Sequence, residues 1–281
     1  MPIVTANGID IYHELWGEGP PLVMAHGFCG CTDEWRPLVL PLAKRRRLLL
    51  YDVRGHGRTE APQDPALYSM PIFAADQAAL MRALRIERAH VGGGSMGGMI
   101  ATQFAVDYPE MVSSLLLCDT TCGNGSDPGP AGEFERFLAE AFVQMEHIAV
   151  EHGFQELARR ELEWARENDP HFDERPEPED VGLRRLERMS VAGYVGANRA
   201  IRERPDLLPR LGDIRAPTLV LIGEWDGFLP CSRLAHERIA GSRLALIERS
   251  PHGTPTWRPE AFRETILRFL DDVESASEVC P

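Results

Sequence analysis

The sequence lacks any uninterrupted apolar run near the roughly 20 residues that a membrane-spanning helix requires. Its opening, "MPIVTANGIDIYHELW", has no basic segment followed by a long apolar stretch, so no secretory signal is legible. Cysteine is sparse, with six in 281 residues, which is too thin for a disulfide framework. Cys29 and Cys31 are two apart and Cys118 and Cys122 four apart, neither being the CxxC spacing of a zinc site. Reduced, unpaired thiols and a cytoplasmic location are therefore expected. Positive charge is also short: the formal net charge is −13, which disfavours nucleic acid and anionic membrane as partners. The single basic run, Lys44-Arg45-Arg46-Arg47, reads as a solvated helix end. There is no internal repeat and no long low-complexity tract.

Hydrophobic residues make up 43% of the chain, enough for a large core. They fall into short, nearly continuous runs: "PLVMAH" (21–26), "RLLLYDV" (47–53), "AHVGGG" (89–94), "SSLLLCD" (113–119), "TLVLIGE" (218–224) and "RLALIE" (243–248). Such runs are expected of strands buried on both faces. The alternating "IDIYHELW" (9–16) reads as an antiparallel strand at one side. Helices are expected over 33–43, with Thr32 or Asp33 as N-cap, and over 70–85, 96–107, 231–240 and 259–273. Strands alternating with helices imply an α/β protein with a mostly parallel, doubly wound sheet.

The rhythm breaks between about 123 and 211, where no strand is legible. "CGNGSDPGP" opens the interval with turn residues, and Phe134, Phe137, Leu138, Ala141, Met145 and Ile148 follow helical spacing. Residues 154–167 and 181–204 also read as helices. A helical cap over 123–211 is expected, inserted between core segments 1–122 and 212–281. Its apolar residues Phe134, Phe137, Phe142, Met145 and Trp164 read as helix packing more than as substrate contacts.

Within "VGGGSMGGM" (91–99), five glycines surround Ser95. Gly93-x-Ser95-x-Gly97 between a buried strand and a helix is the context of a nucleophile elbow, where the small flanking residues let the two backbones pass closely. Gly92, Gly94 and Gly97 also fit a G-x-G-x-x-G spacing, with Asp119 positioned as a ribose-binding acid would be, so a dinucleotide site is the competing reading. The rest of the chain favours the nucleophile. A serine needs a base to take its proton, and that base needs a carboxylate to orient it. Asp226 follows the run 218–224 and His252 follows the run 243–248, so all three candidates lie past carboxyl ends of strands. Asp119, at the end of the run 113–119, is a second candidate acid. Backbone N–H groups of Phe28 and Met96 could hold an oxyanion. His26 is expected to brace the loop at Phe28.

The pieces "HGF" (26–28), "DVRGHGRT" (52–59), "GGSMGG" (93–98), "GEWDGFLP" (223–230) and "SPHG" (250–253) resemble, in order and over nearly the whole chain, those of α/β-hydrolase-fold serine hydrolases. Within that family the chain is most similar to small capped carboxylesterases and lactonases of the 3-oxoadipate enol-lactonase type. The resemblance implies a Ser95, Asp226, His252 triad acting on a small-molecule ester or lactone, with no metal or organic cofactor, in a monomer or homodimer. It implies a structural role for Asp52, Arg54 and His56. Haloalkane dehalogenases and epoxide hydrolases carry Asp at the elbow, and Ser95 excludes them. A C–C hydrolase, a perhydrolase or haloperoxidase-like enzyme, or a ligand receptor on the same constellation are the alternatives. Three departures stand out: Thr59 replaces a frequent Ser, Trp257 lies near a position where Glu is frequent, and Gly94 removes a side chain from the pocket floor.

Overall fold

The apolar runs form a single eight-stranded sheet in the computed structural model, which describes residues 2–279. The strands are β1 (Ile3–Ala6), β2 (Ile9–Trp16), β3 (Pro21–Ala25), β4 (Arg47–Tyr51), β5 (Ala89–Gly94), β6 (Val112–Cys118), β7 (Thr218–Gly223) and β8 (Arg243–Ile247). Their spatial order is β1-β2-β4-β3-β5-β6-β7-β8. β1 pairs antiparallel with β2 and β2 antiparallel with β4, while every other neighbouring pair is parallel. The short β1 was not legible in the sequence, since three of its four residues remain partly or largely exposed.

The continuous hydrophobicity of the central strands has a direct cause. Successive side chains point to opposite faces of a strand, and here each face has its own helical cover. Leu22, Met24, Leu48, Leu50, Leu116, Leu219 and Leu221 enter one core, against α1 (Arg36–Ala43) and α9 (Pro259–Val279). Their neighbours Val23, Leu49, Leu115, Leu117, Val220 and Ile222 enter the other, against α2 (Met70–Ala83), α3 (Met96–Asp107) and α7 (Leu229–Arg238). On α9 the buried residues Phe262, Ile266, Phe269, Leu270 and Val273 trace one helical face.

Between β6 and β7 lie α4 (Pro130–Asn168), α5 (Val181–Leu186) and α6 (Val191–Arg202). The stretches around 134–148 and 154–167 are one long helical run broken at Gly153, whose φ of 82° and ψ of 172° only glycine adopts cheaply. The expected helix 181–204 divides instead, and Ser190 restarts it as the N-cap of α6 by accepting the Gly193 N–H. Ala149, Leu157, Leu186, Met189 and Tyr194 form a small core among these helices.

Two expectations near the N-terminal half need correction. The segment 33–43 begins as a 3₁₀ turn over Thr32–Trp35, and neither Thr32 nor Asp33 caps it. Their side chains are drawn elsewhere: Thr32 Oγ1 donates to Glu14, and Asp33 accepts from Arg36 and Arg188. The basic run is not a fully solvated helix end either. Arg46 is 2% exposed and pairs with Asp271 and Glu274 of α9, so it ties the start of β4 to the last helix.

Candidate active site

The glycine cluster is explained by crowding. A methyl group on Gly97 would stand 2.1 Å from the Ala25 carbonyl oxygen, and one on Gly93 would stand 2.5 Å from the Gly97 carbonyl carbon. One on Gly92 would stand 2.5 Å from Leu116. These glycines let β5 and α3 pack against β3 and β6, which accounts for them without a phosphate ligand. Gly94 is different: a methyl there would meet only Glu34 and Trp35, at 3.4 and 3.8 Å, beside the cavity.

Ser95 sits at the turn from β5 into α3 with φ 53° and ψ −116°, a conformation that costs a side-chain-bearing residue on the order of 1–3 kcal/mol. The surroundings hold it there. Its N–H donates to Cys118 O at 2.9 Å, and its carbonyl accepts from Gly98 N at 2.9 Å and from Thr120 Oγ1 at 2.6 Å. Ser95 and His252 line the same cavity, of about 430 Å³, beneath the inserted helices.

His252 follows β8, and Asp226 follows β7 and is buried. Asp226 Oδ2 and His252 Nδ1 are 2.9 Å apart, and Asp226 Oδ1 accepts the Phe228 N–H, also at 2.9 Å. The acid is thus oriented by its own loop and presents its other oxygen to the ring. The imidazole is 44% exposed, and it faces the cavity. The partial enclosure of the ring works against its charged form, but the charge and hydrogen bond of Asp226, with the charges of Asp119 and Glu34, outweigh it and raise its pKa to about 9.

Asp119 lies close by but bonds elsewhere. It accepts the Thr254 N–H at 2.7 Å and the Thr254 hydroxyl at 2.6 Å. Burial, reinforced by the Asp226 charge, pushes its pKa up to about 6. The carboxylate bonded to the imidazole is therefore that of Asp226.

Phe28 and Met96 both line the cavity. Met96 is the first residue of α3, so its N–H has no acceptor within the helix. Phe28 stands inside the turn closed by Gly30 N–H to Gly27 O at 3.0 Å, and that turn does not use the Phe28 N–H. His26 accepts the Val53 N–H on Nε2 at 2.9 Å, which leaves Nδ1 to donate to Gly27 O at 2.8 Å and brace this loop. Asp52 likewise holds loops, accepting from the backbone N–H groups of Thr32 and Arg58. Arg54 makes a buried two-point pair with Asp76.

The apolar residues of the inserted helices divide three ways. Phe142 and Met145, with Leu138, line the cavity, so they are not purely helix packing. Phe134 packs edge-on against Phe228. Phe137 and Trp164 are 56% and 60% exposed and do not line this cavity. Four charged residues that no sequence motif singles out, Glu34, Arg175, Glu177 and Arg185, also line the cavity. Nothing local marked them, because they sit among many acidic and arginine residues of similar setting. The five cysteines among the described residues are all unpaired, and no helix among those residues is long and apolar enough to cross a membrane.

Comparison with known proteins agrees with this architecture. The chain is 29% identical to the Azorhizobium caulinodans protein named "Putative carbamate hydrolase RutD", over 98% of this chain and 100% of the relative. It is 29% identical to the Bacillus subtilis protein named "Putative 2-succinyl-6-hydroxy-2,4-cyclohexadiene-1-carboxylate synthase", over 96% of this chain and 98% of the relative. Among solved structures, the enol-lactonase from Burkholderia xenovorans LB400 superposes with a TM-score of 0.83 at 28% identity, covering 96% of this chain and 100% of that one. The alpha/beta hydrolase fold family model matches residues 20–235, and the chain belongs to that family.

Proposed function

We propose that the chain is a serine hydrolase that cleaves a carboxylic ester or lactone through an acyl-enzyme on Ser95. The observation that carries this reading is the 2.9 Å contact between His252 Nδ1 and Asp226 Oδ2, with the same imidazole sharing a cavity wall with Ser95. His252 takes the Ser95 proton as Oγ attacks the carbonyl carbon. The oxyanion that forms rests against the N–H groups of Phe28 and Met96, the latter at the positive end of α3. Protonated His252 gives its proton to the leaving alkoxide. Water activated by His252 then releases the acid. Asp226 fixes the tautomer and stabilises the imidazolium. No step requires a metal or organic cofactor.

Residues 123–211 act in this reading as a cap over the core formed by 1–122 and 212–281. Leu138, Phe142 and Met145 give the cavity an apolar wall suited to a small acyl or lactone skeleton. The carbamate hydrolase and enol-lactonase names of two relatives support carbonyl hydrolysis. The synthase name of the third favours a second reading, non-hydrolytic or C–C bond chemistry on the same residues. Hydrolysis of p-nitrophenyl acetate and butyrate by wild type and Ser95→Ala separates the two. Turnover lost in the variant supports the ester reading. A folded wild type with no turnover rejects it in favour of the second.

A further inference from the structure

We propose that Glu34 is a positioning residue for the acyl-transfer step, an inference that rests on the serine-hydrolase reading above. Glu34 Oε2 accepts the Gly27 N–H at 3.0 Å. The carbonyl of the same residue is held from two other directions, by His26 Nδ1 at 2.8 Å and Gly30 N–H at 3.0 Å. Gly27 is thus fixed at both of its polar groups, and the next N–H along the chain is that of Phe28. A rigid donor matters because an oxyanion site works by being organised before charge develops. The loop also has reason to relax without the clamp, since Cys29 is held at φ 59°, a left-handed value unfavourable for a residue with a side chain.

The site is shaped around this carboxyl. A methyl on Gly30 would stand 2.6 Å from Glu34 Oε2, and one on Gly94 would stand 3.4 Å from Oε1. A methyl at Gly94 would make only an ordinary contact, so Gly30 is the glycine this carboxyl requires. Trp35, 1% exposed and packed on Phe262, anchors the turn that delivers Glu34. Oε1 has no hydrogen-bond partner among the described residues, and Glu34 lines the cavity that Ser95 shares. Among the charged and titratable groups around it, His26, Arg185 of α5 and His252 act on Glu34, and Glu34 in turn acts on Cys118 and, with Asp226 and Asp119, on His252, while Arg175 and Glu177 share the cavity wall.

The test compares Glu34→Ala and Glu34→Gln in the full chain on p-nitrophenyl butyrate. Glu34→Ala removes the acceptor of the Gly27 N–H and is expected to lower kcat by about tenfold or more, with KM changed by less than about threefold. Glu34→Gln keeps an amide oxygen for that N–H and is expected to recover most of kcat. Its rising pH limb moves to lower pH, because one carboxylate near His252 is gone. An active wild type matched in kcat by Glu34→Ala overturns this inference alone, as does a loss confined to KM. Should Glu34→Ala fail to fold, Glu34→Asp decides, because its side chain is one methylene too short to keep the Gly27 N–H: a kcat equal to that of Glu34→Gln overturns the proposal. A folded wild type without Ser95-dependent turnover takes down the hydrolase reading and this inference together.

Discussion

Asp119 and Thr254 are joined twice, through the Thr254 N–H at 2.7 Å and its hydroxyl at 2.6 Å. The pair links the end of β6 to the residue two positions past His252. A carboxylate that could have competed for the imidazole is thereby committed to the loop that carries it. Its charge still reaches the ring, and that has a consequence for pH dependence.

His252 has its pKa raised to about 9, above its ordinary value of 6.5. A base works only when neutral, so kcat/KM for p-nitrophenyl butyrate is expected to climb as pH rises toward 9 and then level. Asp119, with a pKa near 6, is charged through the upper part of that climb, and its charge stabilises the imidazolium from a distance. Asp119→Asn therefore moves the limb to lower pH. A pH–rate profile of wild type and variant checks the sign, and an upward or absent shift contradicts it.

Asp226→Asn is expected to lower kcat by up to about 10⁴-fold, because the orienting charge on His252 Nδ1 is lost while the fold stays intact. Asp119→Asn is expected to fall far less. Steady-state rates of the two variants side by side distinguish the acid that touches the ring from the one that holds its loop.

Arg54 and Asp76 are each 3% exposed and meet at 2.6 and 2.8 Å. Asn7 Nδ2 also donates to Asp76 at 2.7 Å. Arg54→Met strands a buried carboxylate, for an expected loss of about 3–5 kcal/mol. Urea denaturation measures it, and the double variant Arg54→Met/Asp76→Leu should regain much of that loss. Neither residue lines the cavity, so kcat per folded molecule stays near wild type.

The glycines around Ser95 should separate sharply. Gly97→Ala forces a methyl to 2.1 Å from backbone oxygen, with an expected cost of about 3 kcal/mol or more. Gly94→Ala meets side chains at 3.4 and 3.8 Å and should fold with a thermal midpoint close to wild type. Thermal melts of the two variants suffice, and equal destabilisation contradicts the packing account.

The pattern of the chain carried much of the architecture. Near-continuous runs such as "RLLLYDV" and "TLVLIGE" mark strands covered on both faces whatever covers them, because both sets of alternating side chains must leave water. The spacing Gly93-x-Ser95-x-Gly97 marks a close strand–helix approach, because no residue with a Cβ fits against Ala25 there. Those signals are local, so they survive in one dimension. The partly exposed β1, the burial of Arg46 and the start of α1 were not legible, because each depends on what a distant segment supplies. Asp119 and Asp226 look alike in sequence, each just past a strand. β6 and β7 run side by side in the sheet and bring both carboxylates to one histidine loop. Which acid meets His252 Nδ1 was decided by Thr254, whose two donors occupy Asp119. Glu34 reaches the cavity that Ser95 lines for a similar reason: the turn that carries it folds back over Gly27, into space left by Gly30. Periodicity reports which side chains are apolar. Only the tertiary structure decides which polar groups converge, since hydrogen bonds and charge depend on distances that sequence separation does not encode.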